Sequence, residues 1–474
     1  MQGVQGKAAR VSLTSGVLAL SGLLFVLIMV VHWGGSVVTG VGFVVGVAVV
    51  IGLIALFALA AWWLLLSPLP NKRVVKMSTA FIGTRQLMVV AVLIGGILLT
   101  LGGFWDEVWH RLYGIGGIID DFWWRPHLLI YGSLAIIAAS AFVGFFTVVL
   151  RGKGSLRARF RAEPLLGMLM LAAGFQMVFA PLDPLWHQLY GLDLTAWSLP
   201  HVLFGVSFAL ISIAALSMQL SLMPHRPWRF LTHIRPQDIL LLLLLMNMLI
   251  NISQIGTTEW EALTRINGDS SFGFWNRPEW LYPVVLTTLA TFVGVIAART
   301  TRIIGAASLV GLLTLAFRAV TISIFNAGAP EIGVSFQAQI LMLPPLIALD
   351  LWHVLIARSG KLDHVLAVWG AGVASAFGVL IVSVPLIPQF TVFPRVNGET
   401  IPGFILFSVL MGLGTAWMAA QIARFVMRYQ PQTDAEALSA DANARRALLI
   451  GVGLLTAALA FVVFFIVTAT PPVV

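Results

Sequence analysis

Apolar runs of about 18 to 25 residues, separated by short polar connections, follow one another through almost the entire chain, and each is long enough to cross a bilayer core as a helix. Inside hydrocarbon a backbone must satisfy its own hydrogen bonds, so only helices and closed barrels span it. The residue-by-residue alternation of a membrane barrel is absent. The expected fold class is therefore all-α, a polytopic transmembrane helix bundle. Composition agrees: 59% of the 474 residues are hydrophobic, 10% are charged and the mean hydropathy is +0.96, which leaves too little polar surface for a soluble domain.

Thirteen spans are expected, over 15–32, 41–66, 86–104, 127–150, 165–182, 200–222, 237–255, 279–298, 303–325, 335–357, 364–387, 401–422 and 447–468. The run at 15–32 follows Lys7 and Arg10 as a signal sequence would, but a second long run follows it with no small-residue cleavage site between, so it is read as a span. Alternate connections carry the cations: Lys72, Arg73, Lys76 and Arg85; Arg151 to Arg161; Arg226, Arg229 and Arg235; Arg299 and Arg302; Arg358 and Lys361; Arg424 to Arg446. By the positive-inside rule these face the cytoplasm and the N-terminus is inside. The net charge of +9 resides in these connections, so it orients a membrane protein and is no nucleic-acid footprint. The spans group into a two-span N-terminal segment, 1–85, a region of repeated hairpins, 86–300, and a five-span C-terminal region, 301–474. The stretch 429–446 is read as the longest cytoplasmic connection.

Within the hairpin region one pattern is written twice. Asp106, Trp109, His110, Leu112, Tyr113 and Gly114, then Trp124, Pro126, His127 and Leu129, recur in order as Asp183, Trp186, His187, Leu189, Tyr190 and Gly191, then Trp197, Pro200, His201 and Leu203. A third hairpin echoes it with Trp260, Glu261 and Leu263, then Trp275, Arg277, Pro278 and Glu279, where glutamates replace both histidines. Interfacial packing accounts for the Trp and Tyr, helix termination for the Gly, and helix initiation for the Pro. It does not account for Asp and His recurring in register, because ionisable groups near a bilayer are costly. The motifs fall in the connections 105–126 and 183–199; if these begin as helix, Asp and His four apart share a face, and a carboxylate with two imidazoles is a donor set that suits a divalent transition metal. With no cysteine in the chain, thiolate ligands and iron–sulfur clusters are excluded. The spacing of His187 and His201 also suits an axial haem pair on one helix, but Gly191 and Pro200 interrupt any such helix. The competing reading makes these side chains interfacial groups bonded to loop backbone and water. Asp350 and His353, three apart near the Arg358 end, form a weaker candidate. Consecutive hairpins usually pack as neighbours, which puts His127 and His201 on adjacent helices.

At these residues the chain resembles the C subunit of the copper membrane monooxygenases, the particulate methane and ammonia monooxygenases. One copper site of that family takes an Asp, a His four residues on within an Asp-x-x-Trp-His string, and a second His after a hydrophilic loop. Asp106, Trp109, His110 and His127 match this order across a longer loop. A neighbouring site uses an Asn, a His four later and another His fourteen beyond, after Pro-Leu-His. Asp183, His187 and His201 keep that spacing, with Asp in place of Asn and Leu199-Pro200 reversed. The similarity covers 86–222. It implies metal ligation by Asp106, His110, His127, Asp183, His187 and His201, with copper as the metal and zinc or iron as alternatives. It implies, if the site is catalytic, dioxygen activation against a small apolar substrate arriving through lipid. Glu107, Asp120, Asp121, Glu261 and Glu279 then stand behind the ligands as hydrogen-bonding or proton-delivering groups. The partners implied are the bilayer, further subunits of a membrane complex or copies of the chain itself, in a prokaryotic cytoplasmic membrane with the motifs on its outer side. Two other readings stay open: an ion, metal or proton transporter built on pseudo-repeated hairpins, and a structural subunit of a respiratory or oxygenase complex.

Overall fold

A computed structural model describes residues 41–66, 81–109, 123–190, 197–232, 234–257, 280–328, 336–390, 401–431 and 434–469. The chain is an all-α polytopic bundle. In order the helices are α1 (Val41–Ala61, ending in the π-turn Trp62–Leu66), α2 (Ile82–Trp109), α3 (Arg125–Arg151), α4 (Leu156–Ala162), α5 (Pro164–Phe179), α6 (Leu182–Tyr190), α7 (Leu199–Leu220), α8 (Pro236–Thr257), α9 (Leu281–Thr301), α10 (Ala306–Gly328), α11 (Leu343–Ala357), α12 (Val365–Gly378), α13 (Val384–Phe390), α14 (Ile401–Met427) and α15 (Asp434–Val467). Two dipeptide strands, β1 (Arg229–Phe230) and β2 (Ile303–Ile304), pair in parallel.

Eleven helices or helix pairs among the described residues are long and apolar enough to span a membrane, and they coincide with the second to twelfth expected spans. The thirteenth is the apolar half of α15; the first, at 15–32, lies outside the described residues. Helix α15 also begins earlier than expected. The segment from 434 that was read as connection is helical, because its Ala, Glu, Leu and Arg residues favour helix whether or not lipid surrounds them.

Helices α2, α3, α5 and α7 close a four-membered ring in that cyclic order. The sequence Gly95-Gly96 and Gly102-Gly103 places α2 within it. One glycine of each pair meets α3, where an added Cβ would lie 2.7 Å from Ile137 and 2.9 Å from Ile130. The other meets α8, where it would lie 2.1 Å from the Asn247 amide and 2.5 Å from that of Gln254. Small residues at such spacing let helix backbones approach in lipid, where no hydrophobic effect drives them together. Helix α8 joins the ring to a second group made of α9 to α12 and α14, while α15 lies against α2 and α8. Because α5 is inserted between them, α3 and α7 stand at opposite corners of the ring. His127 and His201 are therefore not on adjacent helices as the hairpin order suggested; each hairpin packs first on itself.

Among the described residues, cations and polar groups of the basic connections meet at one end. Arg85 donates to Ser221 and approaches Glu163, Arg161 donates to the Leu64 carbonyl, Arg229 to that of Thr301, and His225 pairs with Gln430. The two motif copies occupy the other end.

Candidate functional site

In the first copy, Asp106 lies in the last turn of α2 and His127 in the first turn of α3. Pro126 sits in that first turn, where its fixed φ suits helix entry and its missing N–H would have had no partner. This holds His127 at the helix mouth, with Nε2 2.8 Å from Asp106 Oδ1. The imidazole stacks on Trp124 at 5.9 Å, and Trp124, Trp109 and Trp105 follow edge to face at 5.8 and 5.2 Å. Trp105 continues to Phe325 of α10 and Phe465 of α15, whose carbonyl accepts from Arg125 at 2.8 Å. Asp106 and His127 are thus brought together at the rim of an aromatic cluster. His110, Asp120, Asp121, Glu261 and Glu279 lie outside the described residues, as does the third hairpin's echo; Glu107 is on α2, and its side chain is not described.

The second copy is described at all three of its expected site positions, Asp183, His187 and His201. Pro181 breaks the helix after Phe179, and α6 restarts to carry Asp183 and His187 on one face, so the motif continues as helix where a loop was expected. Asp183 Oδ1 is 3.6 Å from His187 Nε2 and 3.4 Å from His201 Nε2. His201 enters from α7, again just after a first-turn proline. Ser198 stands at the N-cap of α7, but its hydroxyl makes no cap bond and lies 3.0 Å from His201 Nδ1, which fixes the ring with Nε2 toward Asp183. Nothing in the pattern flagged Ser198 beyond its cap position. Trp186 and Tyr190 turn the other way, packing on Phe43 of α1 at 5.5 and 5.6 Å, while the Tyr190 hydroxyl donates to the Gly42 carbonyl. The first copy's Trp109, Trp124 and Leu129 belong to the main core, whereas Trp186, Tyr190 and Leu203 of the second belong to a smaller cluster against α1, with Trp197 in the main core.

Ligand chemistry can be tested against these distances. Two donors about 2.0–2.2 Å from one tetrahedral ion stand about 3.3 Å apart. The oxygen–nitrogen separations of 3.4 and 3.6 Å around Asp183 have that span, and Asp183 Oδ1 is buried and accepts no hydrogen bond. The 2.8 Å approach of Asp106 to His127 is instead that of direct contact. Among the described residues no three such groups stand as a finished ligand set. One carboxylate and two imidazoles are donor types that suit a transition ion, and the oxygen–nitrogen separations around Asp183 have the span that shared ligation requires.

Asp350, by contrast, is committed elsewhere: its Oδ2 accepts from Ser308 N–H and from Ser308 Oγ, both at 2.7 Å, at the start of α10. Deep in the bundle Arg318, 1% exposed, lies over the Phe104 ring. Asn251 donates to Asn247 and to the Gly96 carbonyl.

Compared with known protein-family models, with curated proteins and with solved structures, the chain matches none at a significant level. Fold and site together define an integral membrane helix bundle bearing two separate Asp–His clusters at one end.

Proposed function

We propose that the chain is an integral membrane copper protein with two distinct metal sites, Asp106/His110/His127 and Asp183/His187/His201, distantly related to the C subunit of copper membrane monooxygenases. The observation that carries this reading is the convergence of Asp183, His187 and His201 from two helices onto one buried carboxylate oxygen. Ligation by one carboxylate and two imidazoles leaves coordination positions open, and a copper ion there would supply dioxygen activation. In this reading the chain's own residues set the site. Ser198 holds the tautomer and direction of His201, Trp124 stacks His127 in place, and the aromatic wall of the first copy gives an apolar substrate a dry approach from lipid.

The test is metal content of the purified protein. His187→Ala is expected to abolish most of the metal bound at the second site while Trp186→Phe retains it, and His127→Ala is expected to remove metal in a separate step, since the sites share no residue. Both histidine variants keeping full metal would sink the reading.

A transporter is the second reading, favoured by Arg318, Asn247 and Asn251 buried within the spans. Ion-dependent flux in liposomes that is lost in Asn251→Leu, from protein without stoichiometric metal, selects it.

A further inference from the structure

At the basic end, where α8, α9, α11 and α14 terminate, charge is gathered unevenly. The β1–β2 pair ties Arg229 N–H to the Arg302 carbonyl at 2.9 Å. Asp238, buried at the start of α8, takes Arg226 at 3.4 Å and Arg229 at 2.7 Å. Asp363, exposed on the turn between α11 and α12, takes Arg302 at 3.3 Å and Arg299 at 3.9 Å and accepts from the Trp228 indole at 3.2 Å. Arg424, on the last turn of α14, adds repulsion to Arg299. Four guanidiniums, those of Arg226, Arg229, Arg299 and Arg302, thus share the two carboxylates of Asp238 and Asp363, and Arg424 brings a fifth positive charge beside Arg299.

The surplus is also unsatisfied. Arg299 is 7% exposed, yet its Nε and Nη1 meet no acceptor, and neither does Arg302 Nε. His353, wholly buried beside the Trp228 ring at 5.7 Å, has an unbonded Nδ1. Buried donors are nearly always paired, and charged ones are the most costly to leave unmet. Arg302 further holds a left-handed φ of 53°, an arrangement that a non-glycine residue adopts at a cost; it stands over Trp228 at 5.8 Å.

We propose that Arg299, Arg302 and Arg424, with Trp228 and His353, form a binding site for a phosphate-type oxyanion, and that Asp363 competes with it for the same guanidiniums. A tetrahedral, multiply charged anion suits the site because planar guanidinium forks engage phosphoryl oxygens in pairs, and because a single carboxylate leaves the surplus uncancelled. The site lies at a helix-end level where lipid phosphates also lie, so the ligand is either free phosphate or the headgroup of an anionic phospholipid.

The experiment uses the full-length protein, delipidated in neutral detergent, titrated with inorganic phosphate by calorimetry and, separately, reconstituted in nanodiscs with anionic or purely zwitterionic phospholipid followed by native mass spectrometry. Phosphate binding that weakens by about tenfold in Arg302→Gln and in the exposed Arg424→Gln, and tightens in Asp363→Asn, supports the site with a free anion as ligand. Retention of anionic lipid alone, lost in the same two arginine variants, supports it with a headgroup as ligand. Binding of neither probe, or binding unchanged in Asp363→Asn and Arg424→Gln, overturns it and leaves the unmet donors to water.

Discussion

Within the second motif copy the aromatic positions of α6 and the ionisable positions have separated roles. Trp186, 2% exposed, and Tyr190 pack on Phe43, while Asp183 and His201, 33% and 39% exposed at their side chains, face each other. Trp186→Ala is therefore expected to destabilise the protein by on the order of 3–5 kcal/mol, because an indole-sized cavity opens, whereas Trp186→Phe keeps most of the packing. Thermal unfolding in detergent measures the difference, and metal content should follow stability in neither variant while the fold persists. Ser198→Ala tests the opposite role. Removing the hydroxyl 3.0 Å from His201 Nδ1 leaves packing almost unchanged but frees the ring, so on the proposed copper reading affinity should drop by roughly 10- to 100-fold in a chelator competition. An unchanged affinity would show that the ring is fixed by something other than Ser198.

Helix ends were legible because their determinants are local. Pro126 and Pro200 each open a helix as the sequence suggested, Pro164 does the same for α5, and the apolar runs sized the spans. The helical continuation through Asp183 to Tyr190 and the early start of α15 were not legible, since both were judged by polarity, which reports on lipid contact and not on backbone conformation. Nor did periodicity reveal which helices touch: that depends on pairs such as Gly95-Gly96 and Gly102-Gly103, whose meaning appears only once α3 and α8 are seen on either side. That Asp183 and His187 share a helix face was readable from spacing; that Ser198 holds the His201 ring beside Asp183 was not. Gly96→Val tests the close approach of α2 and α8. The added atoms meet the Asn247 amide and Phe208 within normal contact distance, so one helix must shift and the Asn251 bond to the Gly96 carbonyl must lengthen. Lower thermal stability is expected, with Gly83→Val, where an added Cβ meets nothing, as the unaffected control.

Across the bundle the two ends differ in chemistry, and long-range contacts show it. Arg85 with Ser221, Arg161 with Leu64, Arg229 with Thr301 and Arg302 with Asp363 knit every cationic connection they touch into one end. Trp105 with Phe325, Arg125 with Phe465 and Asp183 with His201 join the other. Successive basic connections are separated by two spans each, and an even number is what returns the chain to the same side, so their meeting at one end supports the alternation of the helices. Which end faces the cytoplasm follows from a different cause, the retention of Lys and Arg on the inner side during insertion. The chain has no cysteine, so single introduced thiols give an unmixed signal. Ser155→Cys, in the connection between α3 and α4, should react with a membrane-impermeant maleimide only after the membrane is opened. Gly116→Cys, between α2 and α3, should react in intact cells. The reverse pattern would put the arginine cluster outside and both Asp–His clusters inside, and a site loaded with metal from the outer face would then have to be given up.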